Sequence, residues 1–202
     1  MVTIIDYGMG NLGSVLNMFK RIGAPAQISN DLDVIAKAKK ILLPGVGAFD
    51  AAMERIENAG LLPVLNYKAK EEQVPVLGIC LGMQLLTQSS EEGTRAGLGW
   101  VDAKTIRFAF SDSMLKVPHM GWNLVHVKNT DRLVDDLPQA SRFYFVHSYH
   151  VHCNRQEDVL MTTNYGISFH SIIHHNNIYG AQFHPEKSHK YGMKFLANFA
   201  NL

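Results

Sequence analysis

Apolar positions along the chain fall into two textures, and the change comes near residue 99. Before it, short apolar runs alternate with stretches of helical period. Residues 2–7 read as a first strand. A helix follows in which Val15, Met18, Phe19 and Ile22 share a face, with Gly23 as its expected stop. Residues 26–29 form a second strand and 32–38 a short helix. Residues 40–43 are a third strand, closed by Pro44-Gly45-Val46-Gly47 and followed by a helix over 48–58. Another helix spans 62–72. Residues 75–79 are a compact apolar run, and beyond them Leu81, Leu85 and Leu86 lie at helical spacing. Strands alternating with helices predict a parallel sheet covered on both faces.

After residue 99 the helical period disappears. Residues 100–108, 124–127, 143–151, 159–163, 169–173 and 178–183 read as short strands split by turn signals. A last helix covers 190–201, with Tyr191, Phe195 and Phe199 on one side. The expected fold class is α/β: a doubly wound, mainly parallel sheet flanked by helices, with an antiparallel β addition in the second half. With 202 residues, 47% of them hydrophobic, and no linker or repeat, the expectation is a single domain over 1–202.

Charge narrows the function classes. A net charge of +1 leaves no basic footprint for nucleic acid or a membrane surface. No apolar run approaches the ~18 residues needed to cross a bilayer, and the N-terminal run has no secretory pattern. Two cysteines, Cys80 and Cys153, make no disulfide framework. These features predict a soluble cytoplasmic protein.

The chemistry centres on Gly78-Ile79-Cys80-Leu81-Gly82-Met83-Gln84. Cys80 stands where a buried strand turns into a helix, with a glycine two residues to either side. That is the nucleophile-elbow pattern with cysteine in place of serine: the glycines let backbones approach, and the turn projects the side chain at a helix N-terminus. A buried, inert thiol is the bland alternative. Gln84 lies four residues on, on the same helix face, where its carboxamide can meet a polar substrate. Near the other end, Gln182-Phe183-His184-Pro185-Glu186 closes a strand. His184 and Glu186, two apart on an extended path stiffened by Pro185, point the same way. A carboxylate beside an imidazole fixes its tautomer and stabilises its charged form. Cys80, His184 and Glu186 thus supply nucleophile, base and orienting acid.

Other signals compete. Gly8-Met9-Gly10-Asn11-Leu12-Gly13 follows a strand and precedes a helix, and Asp31 lies where a ribose-binding carboxylate would. A dinucleotide-binding oxidoreductase is therefore an alternative on these residues; the plain one is a tight turn. The glycines after the third strand expose N–H groups that can bind a negative oxygen if that loop lies beside Cys80. His150, His152 and Cys153 lack zinc-like spacing, so no metal is expected. His174 and His175 precede the Asn176-Asn177 turn signal and read as loop surface, and Ser90-Glu91-Glu92-Gly93 as a solvated loop.

The elbow heptapeptide and Gln182-Phe183-His184-Pro185-Glu186 together resemble the class I, or triad, glutamine amidotransferase family. Supporting stretches run nearly end to end: Ile5-Asp6-Tyr7-Gly8-Met9-Gly10-Asn11, Pro44-Gly45-Val46-Gly47-Ala48-Phe49, Ser90-Glu91-Glu92-Gly93, Val117-Pro118-His119-Met120-Gly121-Trp122-Asn123 and Phe145-Val146-His147-Ser148-Tyr149. The resemblance implies glutamine as substrate, no cofactor, and a γ-glutamyl thioester on Cys80. It assigns the oxyanion and substrate contacts to Gly45, Val46, Gly47, Leu81, Gln84, Glu92 and Ser148. It also implies a heterodimer with a (β/α)₈-barrel synthase of histidine biosynthesis. The contact surface would comprise Gly8, Met9, Gly10, Asn11 and the Pro118, His119, Met120, Gly121, Trp122 stretch, with ammonia passing into the barrel. The glutaminase would be weak alone, its oxyanion loop reoriented through the partner. His150-Val151-His152-Cys153 and Thr163-Asn164-Tyr165-Gly166 look instead like copies that donate nitrogen to an amidino sugar in surface-polysaccharide synthesis, which leaves the acceptor open. A non-catalytic docking module is the third reading, and the intact Cys, His and Glu set argues against it.

Overall fold

The computed structural model describes residues 1–111 and 114–202. The first half is built from β1 (Val2–Ile5), α1 (Leu12–Arg21), β2 (Ala26–Ser29), α2 (Leu32–Ala36), β3 (Ile41–Leu43), α3 (Phe49–Asn58), α4 (Leu62–Asn66), β4 (Val76–Ile79) and α5 (Leu81–Leu85). The second half holds β5 (Ser89–Ser90), β6 (Ala103–Arg107), β7 (His119–Leu124), β8 (His126–Val127), β9 (Arg142–His147), β10 (Tyr149–Cys153), β11 (Val159–Tyr165), β12 (Ile167–His175), β13 (Ile178–Ala181) and α6 (His189–Asn201).

One large sheet runs β2-β1-β3-β4-β13-β12-β10-β6-β5, with β11 and β8 attached beside β12. Its first five strands are all parallel. Successive side chains on these strands serve opposite layers, as the pleat requires. Ile5, Ile41, Leu43 and Val76 pack with Ile35 of α2, Phe49 and Ile56 of α3 and Leu65 of α4. Ile4, Leu42, Leu77 and Ile79 pack with Phe19 of α1 and with Phe195 and Phe199 of α6. This is the doubly wound arrangement read from the first half of the sequence. From β12 outward the large sheet is mainly antiparallel, and β7 and β9 form a separate antiparallel pair. Among the described residues no helix is long and apolar enough to cross a membrane.

Several expectations are corrected. The strand at 178–183 ends at Ala181 and pairs with β4 in parallel, so it completes the parallel core rather than extending the antiparallel addition. The run 143–151 is two strands in different sheets, broken at Ser148. The stretch 119–124 is a strand, β7, that the sequence pattern did not suggest. The helix at 62–72 leaves the α path at Tyr67 for one π-helical turn, Tyr67–Glu71. That turn swings Lys68 fully inside, where its ammonium donates to Glu72 at 2.5 Å and to the Ala36 carbonyl at 3.1 Å. His174 and His175 belong to β12, not to a loop, and stand beside Asp131 and Asp158. His150 is buried against Phe108, while His152 lies exposed beside His170.

Candidate active site

The elbow forms because two glycines let three backbone segments share one place. A side chain at Gly82 would put its Cβ 1.9 Å from the Leu43 carbonyl oxygen of β3. One at Gly78 would lie 2.5 Å from the Gly82 oxygen. With both absent, Cys80 turns directly from β4 into α5 at φ 53°, ψ −107°. Such a left-handed conformation costs a non-glycine residue ~1–3 kcal/mol and persists only where its surroundings over-determine it. Here they do. The Cys80 N–H donates to Ala181 of β13 at 2.7 Å, and its carbonyl accepts from Gln84 N–H at 3.2 Å.

The adjacent strand brings the base. Beyond β13, His184 is anchored by its N–H to the Tyr144 carbonyl of β9 at 2.9 Å. Ser188 Oγ donates to the His184 carbonyl at 2.6 Å. Pro185–Lys187 then forms a 3₁₀ turn. The sequence reading placed His184 and Glu186 on an extended path; the contact is made by this turn instead, with His184 Nδ1 2.8 Å from Glu186 Oε1. Both side chains are buried. Burial opposes charge on the ring, but the Cys80 sulfur and the Glu186 carboxylate outweigh it and raise the His184 pKa to about 10. Its Nε2, buried, has no hydrogen-bond partner among the described residues. It is the ring atom free to exchange a proton with a reacting group.

Cys80 and His184 open into a cavity of about 330 Å³, near the lower end of the small-ligand range. Val46, Gly47, Leu81, Gln84, Glu92 and Ser148 line it, joined by Pro118, Val146, His147 and Tyr149. Gly45 stands behind the wall, where an added Cβ would meet the Tyr7 hydroxyl at 2.7 Å and Gly82 N at 2.9 Å. The glycine loop therefore does lie against the elbow. Tyr7 fixes it by donating to the Pro44 carbonyl at 2.5 Å. Burial, with the Cys80 sulfur adding to it, pushes the Tyr7 pKa up and keeps the hydroxyl a donor. Among the described residues the N–H groups of Val46 and Gly47 have no acceptor. Glu92 lies in an exposed turn, as read, but its side chain is committed: Oε2 accepts from Phe49 N–H at 2.9 Å, at the N-terminus of α3. Asp50 holds the same segment by accepting from Thr94 N–H and Arg95 N–H.

The turn after β1 is committed elsewhere than to a nucleotide. Gly8 gives its carbonyl to Arg55 at 2.5 Å, Gly10 lies over Pro44, and Asn11 caps α1 through Ser14 N–H. Asp31 caps α2 by accepting from Asp33 and Val34. Met9 covers Gly47, so this turn touches the glycine loop. In the 118–122 stretch, Pro118, Met120 and Trp122 are exposed and Gly121 is half-buried. His119 is not surface: it is 3% exposed, stacked between Phe145 and Tyr165, because alternate positions of β7 face inward. Sequence reasoning did not single out Tyr7, His147 or Gln182. All three fall within quoted motifs but were given no role.

A thiol on a strained elbow beside a buried His–Glu pair, on a five-stranded parallel core, is an arrangement suited to acyl transfer. The chain belongs to the class-I glutamine amidotransferase family, which matches residues 3–201. It is 54% identical over 199 residues, 98% of each chain, to imidazole glycerol phosphate synthase subunit HisH 2 of Methanococcus maripaludis. It is 47% identical over 202 residues, 100% of each chain, to the protein of the same name in Pseudomonas aeruginosa. It is 43% identical over 204 residues, again all of both, to subunit HisH of Leptospira interrogans. In fold it resembles a solved glutamine amidotransferase (TM-score 0.75, 16% identity, all of both chains). A glutamine amidotransferase from Thermotoga maritima is similar at TM-score 0.67 and 15% identity, over 99% of this chain and 82% of that one. These relatives favour neither the amidino-sugar donor nor the dinucleotide enzyme.

Proposed function

We propose that this chain, acting as one domain over 1–202, is the glutamine-hydrolysing subunit of imidazole glycerol phosphate synthase in histidine biosynthesis. The observation that carries the reading is Cys80 on its elbow beside the His184–Glu186 pair, at the bottom of a cavity lined by Gln84, Glu92 and Ser148. Cys80 Sγ attacks the side-chain amide carbon of glutamine. The oxyanion so formed is received by Leu81 N–H and the Gly45–Gly47 loop, each donor contributing about 3 kcal/mol to the transition state. His184, held by Glu186, passes a proton from Nε2 to the departing nitrogen, and ammonia leaves. Water, activated by the same imidazole, then cleaves the γ-glutamyl thioester and releases glutamate.

Ammonia passes to a (β/α)₈-barrel synthase docked over the cavity mouth. Two features support that surface. Val46 is an exposed apolar side chain on the cavity wall, and Met120 and Trp122 are exposed apolar side chains on β7, which follows Pro118 of that wall. The turn carrying Met9 touches the glycine loop, giving a docked partner a mechanical handle on the oxyanion donors. The compartment is the cytoplasm, in keeping with two free cysteines.

The test is glutamate release from glutamine by the chain alone and with the barrel synthase of histidine biosynthesis from the same source, with Cys80→Ala as control. Stimulation by the synthase that vanishes in Cys80→Ala is the expected result. Undiminished activity in Cys80→Ala would overturn the assigned nucleophile. No stimulation would overturn the assigned partner.

A further inference from the structure

We propose that Gln182 is a catalytic residue of this site: its carboxamide N–H holds the Cys80 sulfur, in an orientation dictated by hydrogen bonds that run from the Tyr149 carbonyl through Gln84. The argument starts at the Tyr149 carbonyl, which can only accept. Two groups approach it, His147 Nδ1 at 2.8 Å and Gln84 Nε2 at 3.1 Å. Both must therefore be donors. A neutral ring with its proton on Nδ1 has a lone pair on Nε2, and there His119 Nδ1 lies 3.0 Å away and donates. His119 Nε2 in turn accepts from Asn123 at 3.2 Å, and Asn123 gives another N–H to the Asn164 carbonyl at 2.9 Å. Burial keeps these rings neutral, pulling the pKa of His147 down to about 3 and of His119 to about 4.

On the other side of Tyr149 the direction propagates toward the thiol. The Gln84 amide nitrogen, already fixed as a donor, gives its second N–H to Gln182 Oε1 at 3.4 Å. Gln182 must then present its own nitrogen to Cys80 Sγ, and it does so at 3.8 Å. The reverse orientation would set nitrogen against nitrogen and a carbonyl oxygen against sulfur lone pairs. Gln182 is fully buried, so water cannot relieve that mismatch. A further contact of the sulfur, the Val146 carbonyl at 4.0 Å, suits only the protonated thiol. A donor at Gln182 thus stabilises the sulfur anion that attacks. The ionisable groups around the sulfur are His184 with Glu186 behind it, Tyr7 from the end of β1, and Glu92 and His147 on the cavity wall.

The decisive measurement is the pH dependence of Cys80 alkylation by iodoacetamide, located by peptide mass, in the intact chain. Cys80→Ala accounts for any reaction at Cys153. In Gln182→Leu the pH of half-maximal alkylation should rise by about one unit, and the rate at pH 7 fall about tenfold. Gln182→Glu should move further the same way. Wild-type pH profiles in both folded variants would overturn the proposal. For variants that fail to fold, wild-type protein labelled with ¹⁵N-glutamine supplies the answer. The Gln182 side-chain amide signal should follow the Cys80 titration and stand still in Cys80→Ala; a signal indifferent to that titration would overturn it. The proposal rests on the glutaminase reading for its meaning, not for its test, since iodoacetamide needs no glutamine site. Absent glutamate release with a shifted alkylation profile would count against the glutaminase reading alone.

Discussion

Replacing Gly82 by alanine probes the geometry on which the site depends. The added Cβ would stand 1.9 Å from the Leu43 carbonyl oxygen, whereas a comfortable carbon–oxygen contact is ~3.3 Å or more. Both partners are main chain, so no rotamer can yield. α5 and β3 must separate by roughly 1.4 Å, the difference between those distances. Overpacking of this kind costs ~1–3 kcal/mol when side chains can adjust, and a backbone clash belongs at the upper end. For a chain of this length ~3 kcal/mol lowers the melting temperature by roughly 6–12 °C. The same shift moves the Leu81 N–H, the proposed oxyanion donor, and a 1 Å misplacement can cost ~10²-fold in rate. Gly13→Ala is the internal control. Nothing lies within 4 Å of a Cβ there, and the residue sits in α1. Alanine should stabilise it by up to ~1 kcal/mol and leave glutamate release intact. Calorimetry and steady-state glutamate release on both variants make the comparison. A Gly82→Ala protein that melts within a degree or two of wild type with unchanged kcat/KM would refute the reasoning.

Three further outcomes are expected. The His184 pKa stands above its unfolded value of ~6.5, at about 10, so its stabilising contribution is complete below that lower value and is lost as pH rises through about 10. Glu186→Gln removes one of the raising groups and should start that loss at lower pH, read by denaturant unfolding at pH 6, 8 and 10; coincident pH profiles would contradict the assignment. Asp50→Asn weakens the grip of α3 on the Thr94–Arg95 backbone, and should raise KM for glutamine several-fold while kcat changes less. Met120→Glu or Trp122→Glu places a charge on an exposed apolar position and should weaken partner binding by tenfold or more by titration calorimetry, with Cys80 alkylation in the free chain unchanged.

The elbow was legible because its chemistry is local: glycines two positions either side of a cysteine leave few other purposes. The parallel core was legible for the same reason, since apolar runs and helical stripes alternate there. What escaped depends on partners distant in sequence. The run from Phe143 to Val151 is apolar or aromatic apart from Ser148, and one serine does not announce that the chain passes there from one sheet to another. β7 carries polar and small residues at inward positions because His119 finds His147 rather than an apolar neighbour. The placement of β13 beside β4 joins segments about a hundred residues apart. No local pattern distinguishes a last parallel strand from one more antiparallel strand. Gln182 falls in the same class: its role exists only once Gln84 and Cys80 are brought to it.

That placement of β13 also governs how the molecule is made. β4 carries the thiol and β13 leads to the imidazole, and the two pair directly through Val76–Ile178 to Ile79–Ala181. A growing chain therefore holds a completed β4, apolar and with one edge unpaired, through the synthesis of everything between. Closing so long a loop is slow, and an exposed apolar edge invites pairing with another chain. One consequence is order: Cys80 and His184 are brought together only when the sheet closes around them, so a half-folded chain holds the thiol without the imidazole. The Cys80–His184 juxtaposition in this fold waits on the insertion of a single strand of four residues.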